Sequence, residues 1–191
     1  MKFYERVIFI SLEELLNNTN IVMTINQNMD TLLCYIPEIE EMIGFDQKHP
    51  HHHYDLWNHT LLALYIAEEN GFLDYDVRLA LLLHDIGKPV CFIDGDIRHY
   101  YNHSLYSAKI AKSFFKRTNY SKQFIKRVLF LIKNHDCPIS DILIDKDPLL
   151  AKKLYEVQYC DSLAHNPKYL KKRLDYLSGT KTKLIKRGIT K

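Results

Sequence analysis

The chain has 191 residues and a mass of 22.6 kDa, which fits one domain with at most a small appendage and excludes two full domains. Hydrophobic residues make up 47% of the chain and charged residues 26%, with only 6 Gly and 6 Pro, a composition that excludes a disordered or collagen-like chain. The net charge of +3 is too small to indicate a polyanionic partner by itself.

The apolar residues recur at close to 3.6-residue spacing nearly throughout, which predicts an all-α helical bundle. Ser11 and Glu14 form a capping box that begins a short first helix, and Pro37 begins another. Further helices are predicted over residues 55–70, 74–86, 102–117, 121–135, 147–164 and 167–177. An Asp-Gly turn between β-forming residues predicts at most one small β-hairpin near residues 90–100. Ser178 and Gly179 are expected to end the ordered fold.

Basic residues concentrate at the C-terminal end of the chain. Residues 168–191 contain nine Lys and Arg but a single acidic residue, Asp175, so this segment carries a charge of +8 and residues 1–167 carry −5. Such an end is typical of a solvated terminal helix and tail, and it also fits an arm that contacts RNA or another subunit. The sequence leaves both interpretations open.

The four cysteines are scattered along the chain, at Cys34, Cys91, Cys137 and Cys160. Because none forms a Cys-x-x-Cys pair, a zinc ribbon and a dithiol redox motif are excluded, and we expect reduced, buried thiols. No apolar stretch is long enough for a signal peptide or a membrane span, so we expect a cytoplasmic protein without membrane contact.

Several predicted helices carry, on the apolar face, a His or Asp side chain of the kind that binds metal ions. His59, for example, lies at helical spacing from Leu62 and Ile66, and Asp85 follows the very apolar residues 77–83. An ionised carboxylate buried there is strongly destabilising unless a cation pairs with it. The complete set, in chain order, is His59, His84, Asp85, His103, His135 and Asp161.

Six such residues on five helices are better explained by a metal centre than by separate core histidines and helix caps. Imidazole and carboxylate ligands without cysteine fit Mn, Fe, Co, Ni, Zn or Mg. Because six ligands exceed what one catalytic metal needs, we predict two ions that share Asp85. The predicted ligands are His59, His84, Asp85 and Asp161 for one ion, and Asp85, His103 and His135 for the other.

The order His, His-Asp, His, His, Asp resembles the HD superfamily of metal-dependent phosphohydrolases. The local sequence is similar to the HD region of one branch, the bacterial tRNA nucleotidyltransferases or CCA-adding enzymes. This similarity covers about residues 36–177 and rests on Ile36–Gly44 with Gln47, Tyr54–Thr60, His84–Pro89, His103–Ala108 and Cys160–His165. It implies an HD domain over residues 36–177, between an N-terminal helical extension over residues 1–35 and a basic C-terminal tail over residues 178–191.

The chain departs from that branch in one respect. The nucleotidyltransferase head, with its Gly-Ser and paired-Asp signature, has no counterpart in the 35 residues before Ile36, so CCA addition by this chain alone is not expected. Two other branches are also disfavoured: His84-Asp85 is not followed by the acidic pair of ppGpp hydrolases, and the Gly-Tyr-Pro motif of cyclic di-GMP phosphodiesterases is absent from the sequence.

The resemblance implies hydrolysis of phosphomonoesters, cyclic phosphates or phosphodiesters of nucleotides or RNA by metal-activated water. Asp85 would orient the nucleophile and take its proton, and Lys88 would counter the charge that develops on the phosphate. Arg98 and His99 are candidates for further phosphate contacts, and His52 matches a histidine of the relatives.

Other interpretations of the same residues stay open. Lys88, Arg98 and His99 could be ordinary surface residues, and the His-rich loop of residues 49–53 could be solvated, an adventitious metal site or a lid. A second hypothesis for the whole chain is a metal-containing module that binds RNA or a separate partner protein without turnover. Substitution of Asp85 would then lower stability without abolishing any reaction.

Overall fold

Helices make up almost all of the regular structure. The computed structural model describes residues 10–189, so residues 1–9 of the predicted N-terminal extension and residues 190–191 of the predicted tail lie outside it. The described chain forms eleven α-helices, and 3-10 helices cover Pro37–Met42 and Pro167–Tyr169. The α-helices are α1 (Leu12–Asn17), α2 (Ile21–Gln27), α3 (Met29–Tyr35), α4 (Leu56–Glu69), α5 (Tyr75–Leu83), α6 (Lys88–Cys91), α7 (His103–Phe115), α8 (Lys122–Asn134), α9 (Asp141–Lys146), α10 (Pro148–Leu163) and α11 (Lys171–Lys186).

The predicted all-α fold is therefore confirmed, and the starts of several helices are where the capping residues placed them. The Ser11 side chain accepts a hydrogen bond from the Glu14 amide, and Glu14 accepts one from the Ser11 amide, which completes the capping box of α1. Asp55, Ser121 and Asp147 cap α4, α8 and α10 in the same way, each accepting from an amide of the first turn. These caps satisfy amides that have no partner within the helix.

Helix α5 lies at the centre of the bundle. Residues 76–83 are all buried, and α5 packs against α1, α4, α7, α8 and α10. Arg78 is fully enclosed and donates a hydrogen bond of 2.6 Å to the carbonyl of Leu16, which ties the N-terminal helices to this central helix. Because α5 is buried on every side, the residues directly after it are carried into the middle of the protein.

The predicted helix over residues 74–86 ends earlier than expected, at Leu83. His84 Nδ1 lies 2.6 Å from the Leu81 carbonyl oxygen, which would otherwise accept the amide of Asp85 in a continuing helix. Residues 84–87 consequently form turns, and a short helix, α6, follows with Pro89 in its first turn. The sequence did not predict α6, because Pro89 was interpreted only as a helix breaker.

The predicted β-hairpin consists of a single antiparallel bridge. Ile93 donates to the His99 carbonyl at 2.9 Å and His99 donates back to Ile93 at 3.2 Å, around the Asp-Gly turn. No sheet forms within residues 10–189. Nor is any helix in this part of the chain long and apolar enough to cross a lipid bilayer.

The C-terminal expectation was wrong. Ser178 and Gly179 do not end the ordered fold, because α11 continues through both to Lys186. Thr180 and Leu184 are buried on its inner face, and this packing holds the helix together beyond the predicted end at Leu177. The division into three segments, 1–35, 36–177 and 178–191, stays a prediction.

The expectation of four buried thiols was also wrong. Cys160 is buried, Cys91 is half-buried, and Cys34 and Cys137 are exposed. All four are free. Cys34 and Cys137 lie near helix ends, where an apolar residue type does not ensure burial.

Candidate metal centre

All six residues predicted as ligands come together where α4, α7, α8, α10 and the turn after α5 converge. They form two groups, and within each group the ligand atoms lie within 4.8 Å of one another. The two groups are His59, His84, Asp85 and Asp161, and Asp85, His103 and His135. Asp85 belongs to both, so its two carboxylate oxygens face two potential ion positions.

The four imidazole rings are oriented by the backbone. Each Nδ1 lies close to a carbonyl oxygen, at 3.2 Å for His59 and Ala164, 2.6 Å for His84 and Leu81, 3.0 Å for His103 and Tyr100, and 2.7 Å for His135 and Ile132. A carbonyl oxygen only accepts, so Nδ1 carries the hydrogen and Nε2 faces the centre. This orientation is the one in which an imidazole binds a metal ion through Nε2.

Two atoms at the centre are buried without a hydrogen-bond partner, His84 Nε2 and Asp85 Oδ1. His103 Nε2 lies 3.2 Å from Asp85 Oδ1, but the alignment does not make a hydrogen bond. An unsatisfied polar atom in the core is destabilising, and a cation among these atoms would satisfy both. The residues present therefore fit a divalent metal ion.

The electrostatics of the centre favour added positive charge. Burial alone would raise the pKa of Asp85, but Lys88 and His84 hold that pKa well below its usual value. Burial would lower the pKa of His103, yet the neighbouring carboxylates of Asp136 and Asp85 raise that pKa to about 10. Burial also opposes the protonation of His84, but the carboxylates of Asp85 and Asp161 raise its pKa. A divalent cation would compete with the imidazole protons for the same carboxylates.

Lys88 is enclosed beside the first group. Its Nζ lies 2.7 Å from Asp85 Oδ2, donates to Gln47 Oε1 at 2.9 Å, and lies 3.4 Å from His52 Nε2. Gln47 is itself buried and donates to the Tyr54 carbonyl at 3.2 Å. Lys88 is therefore no surface lysine: the fold holds its ammonium group at the edge of the metal centre.

The residues predicted to contact substrate lie around one opening. His52, Lys88, Arg98 and His99 line a cavity of about 230 Å³ whose floor includes Asp85, His103, His135 and Asp161. His49 and His51 line it too, so the His-rich loop forms one wall. Arg98 also pairs with Asp94 at 2.8 Å, so part of its charge is already engaged.

Three further residues of the centre were not identified from the sequence. Asp136 Oδ2 lies 2.9 Å from His103 Nε2, and Arg173 donates to Asp161 Oδ2 at 2.8 Å. His165 also lines the cavity, and burial lowers the pKa of its imidazole to about 4. A signal existed for two of them, because Asp136 directly follows His135 and His165 lies one helical turn after Asp161.

A second cavity of about 440 Å³ adjoins the first and shares His135, Asp136, His165 and Arg173 with it. Its remaining wall is mostly apolar or aromatic and comes from the turn after α8 and from residues around the start of α11. The wall includes Cys137, Pro138, Tyr169, Leu170 and Tyr176. The cleft thus has a charged half over the two ligand groups and an apolar half beside it.

Comparison with known proteins agrees with this geometry. The HD domain family model matches residues 56–164, more than half of the chain. The CC-adding tRNA nucleotidyltransferase of Thermus thermophilus is 31% identical over 116 residues, covering 57% of this chain and 26% of that protein. The A-adding tRNA nucleotidyltransferase of Deinococcus radiodurans is 31% identical over 104 residues, covering 52% of this chain and 24% of that protein. The chain thus spans about a quarter of the length of these relatives.

Proposed function

The chain belongs to the HD domain family, and from this membership we propose that it is a metal-dependent phosphohydrolase. Its substrates are phosphomonoesters, cyclic phosphates or phosphodiesters of nucleotides or RNA. The observation that carries the proposal is the pair of ligand groups that share Asp85, with four imidazoles held for binding through Nε2. A purely structural metal would need neither six ligands nor the enclosed ammonium group of Lys88 beside them.

The proposal assigns two divalent ions, drawn from Mn, Fe, Co, Ni, Zn and Mg, because the donors are imidazoles and carboxylates only. His59, His84, Asp85 and Asp161 hold one ion, and Asp85, His103 and His135 hold the other. Such ions supply Lewis-acid chemistry, which makes water a stronger nucleophile at neutral pH and polarises a phosphoryl oxygen.

The side chains of the cleft have separate tasks in this proposal. Asp85 orients the attacking water and takes its proton, and Lys88, 2.7 Å from Asp85, stabilises negative charge on the phosphoryl oxygens. Arg98, His99 and His52 bind further phosphate oxygens from the walls of the charged half. The apolar half takes the organic part of the substrate, where Tyr169 and Tyr176 offer aromatic surface to a base.

The named relatives support a nucleotide or RNA end as substrate, since both are tRNA nucleotidyltransferases and both align over the HD region. They also support the second candidate, a metal-containing module that binds RNA or a partner protein without turnover. The matched part is only about a quarter of each relative, and the activity that each is named for is nucleotide addition and not hydrolysis.

The test combines metal content with hydrolysis. We expect about two metal ions per chain by elemental mass spectrometry of untagged protein, and turnover of bis-p-nitrophenyl phosphate or 2′,3′-cyclic AMP with a suitable divalent ion. Asp85→Asn should lose both metal and turnover, and Lys88→Gln should keep the metal but lose about 100-fold in kcat. Asp145→Asn, an exposed carboxylate outside the centre, is the matched control.

Two outcomes would contradict the proposal. Tightly bound metal without turnover of either substrate in the wild-type protein would favour the binding module. Loss of metal in Lys88→Gln would contradict the task assigned to Lys88, because its ammonium group would then be needed to hold the ligand groups.

A further inference from the structure

The segment that contains the candidate ligands His103 and His135 carries basic residues but no acidic ones. Residues 97–135 contain nine Lys and Arg and no Asp or Glu, in a chain whose net charge is only +3. The segment forms α7 and α8, which pack against each other. The nine are Arg98, Lys109, Lys112, Lys116, Arg117, Lys122, Lys126, Arg127 and Lys133.

The arginines and the lysines of this segment behave differently. Arg98, Arg117 and Arg127 each pair with a carboxylate elsewhere in the chain, at distances of 2.8 to 3.1 Å. The six lysines are exposed, and within residues 10–189 none of them has a carboxylate oxygen within 4.0 Å. We call these six side chains, Lys109, Lys112, Lys116, Lys122, Lys126 and Lys133, the lysine face.

The lysines lie on the outer side of both helices. On α7, Lys109, Lys112 and Lys116 are spaced by three and four residues, opposite the buried Ala111 and Phe114. The lysines of α8 likewise lie opposite that helix's buried residues, so the two stripes cover the outer surface of one helical hairpin. Each helix has 13 residues, which gives the face a length of about 20 Å.

One end of this hairpin is the metal centre. His103 begins α7 and His135 follows α8, and their Nε2 atoms lie 3.1 Å apart. The turn between the helices, residues 116–121, is at the far end. The unpaired positive charge therefore runs from the tip of the hairpin toward the two ligand groups.

Ion pairs also neutralise part of the basic C-terminal segment. On α11, Lys183 lies 3.0 Å from an oxygen of Asp141, and Arg187 lies 2.6 Å from an oxygen of Asp145. Both carboxylates belong to α9. Although residues 168–191 have a high formal charge, part of that charge stabilises the contact between α11 and α9.

We propose that the lysine face binds the phosphodiester backbone of a nucleic acid and guides it to the metal centre. What happens to the bound strand at the metal centre rests on the proposed function, which this inference deepens. The nucleic-acid contact is assigned to α7 and α8 in preference to the tail. Lysine ammonium groups bind successive phosphates without regard to base sequence. A lipid surface fits less well, because no large hydrophobic residue between Lys109 and Lys133 is exposed for insertion.

The test measures binding separately from turnover. Full-length protein is titrated into a short fluorescent single-stranded RNA, and in a second arm into DNA of the same sequence, at several salt concentrations with EDTA present. The variant K109Q/K112Q/K116Q removes half of the lysine face. The matched control, K171Q/K181Q/K186Q, removes three exposed α11 lysines that are also without ion pairs in the described chain.

We expect the α7 variant to bind RNA at least about tenfold more weakly, with the slope of log affinity against log salt reduced by about 2, since each single-strand phosphate contact contributes about 0.7. The α11 control should bind within about twofold of wild type. Weaker binding of DNA than of RNA would identify RNA as the strand, and equal binding would indicate recognition of the shared backbone.

Three results would overturn the inference: equal binding by wild type and the α7 variant, a larger loss in the α11 control, or binding to phosphatidylserine vesicles without binding to RNA or DNA. Hydrolysis of bis-p-nitrophenyl phosphate by the α7 variant should equal that of wild type. If wild type hydrolyses nothing but the binding results hold, the proposed function fails and the nucleic-acid surface stands.

Discussion

Asp85 is the residue on which both ligand groups depend. It follows α5, the buried central helix, and its Oδ1 has no hydrogen-bond partner while its Oδ2 pairs with Lys88 at 2.7 Å. A single ammonium group thus balances one side of a carboxylate that has two buried oxygens. The free side faces His103 and His135, and a second cation there would satisfy the unpaired oxygen.

Arg173 is a second residue on which the centre depends, through charge and not through ligation. It reaches from α11 to Asp161 at 2.8 Å and to the Ser162 hydroxyl at 2.6 Å. Burial would raise the pKa of Asp161, but His165 and Arg173 are the foremost charges that hold this pKa well below its usual value. Without Arg173, a fully buried carboxylate would lose its permanent positive partner.

We therefore predict that Arg173→Leu lowers the melting temperature more in EDTA than with saturating Mn²⁺. Loss of the partner of a buried charge costs about 1–3 kcal/mol, and a bound divalent cation would replace most of the lost charge. Differential scanning calorimetry under both conditions measures the effect.

The control for this prediction is Arg187→Leu on the same helix. Its partner Asp145 is exposed, and such surface pairs contribute little to stability, so its effect should be small and independent of metal. An equal loss in EDTA and in Mn²⁺ for Arg173→Leu would mean that Arg173 acts only by packing.

At the level of elements, the turn after α5 packs closely against α7. This contact sets the distance between Asp85 on the turn and His103 on α7. Gly87 donates to the Ser107 hydroxyl at 2.9 Å. A Cβ atom added at Gly87 would lie 2.7 Å from the His103 carbonyl oxygen and still closer to the Ser107 amide nitrogen. Both neighbours are backbone atoms of α7, so they cannot move without moving His103.

Gly87→Ala should therefore destabilise the protein by about 1–3 kcal/mol or more and weaken metal binding, because α7 must move away from Asp85. Urea unfolding and metal titration measure the two effects. Gly179→Ala is the matched control: nothing lies within 4 Å of a Cβ there, and in the middle of α11 alanine should stabilise the helix by about 0.5–1 kcal/mol. Normal stability of Gly87→Ala would contradict the close approach.

The clustering of the six candidate ligands could be predicted from the sequence because it depends on local spacing. A helical period places His59 on the inner face of α4 wherever α4 lies, and a very apolar helix carries Asp85 inward. Arg173 could not be predicted in this way. Its partners Asp161 and Asp136 are 12 and 37 residues away, and it lies in a basic run that is indistinguishable from a solvated tail. Only tertiary packing determines which of those cations turns inward.

The same distinction explains where the helix boundaries failed. Helices α4, α8 and α10 have side-chain caps that the sequence shows directly, and their starts were predicted within a residue. The end of α5 depends on a local side-chain contact that no capping pattern indicates, and the end of α11 depends on tertiary packing. At the end of α5, His84 Nδ1 donates to the Leu81 carbonyl oxygen. Near the end of α11, Leu184 is buried against the body of the protein.

For the whole molecule, the question is whether residues 178–191 are an appendage or part of the fold. Leu184 is fully buried and Thr180 nearly so, although the basic composition of this segment is typical of a tail. Burial of one leucine side chain stabilises by about 1.5–3 kcal/mol. The C-terminal half of α11 therefore contributes a measurable share of a total stability of about 5–15 kcal/mol for a typical domain.

We predict that truncation after Leu177 lowers the free energy of unfolding by at least about 2 kcal/mol and also weakens metal binding. The second effect follows because α11 then ends nine residues before its native end and loses the core contact of Leu184. Its remaining turns, which position Arg173 against Asp161, fray more readily. Truncation after Arg187 keeps Leu184 and should change both quantities much less. If the two truncated proteins are equally stable and bind metal as wild type does, residues 178–191 are the independent tail that their charge indicated, and the packing of α11 has no energetic consequence for the centre.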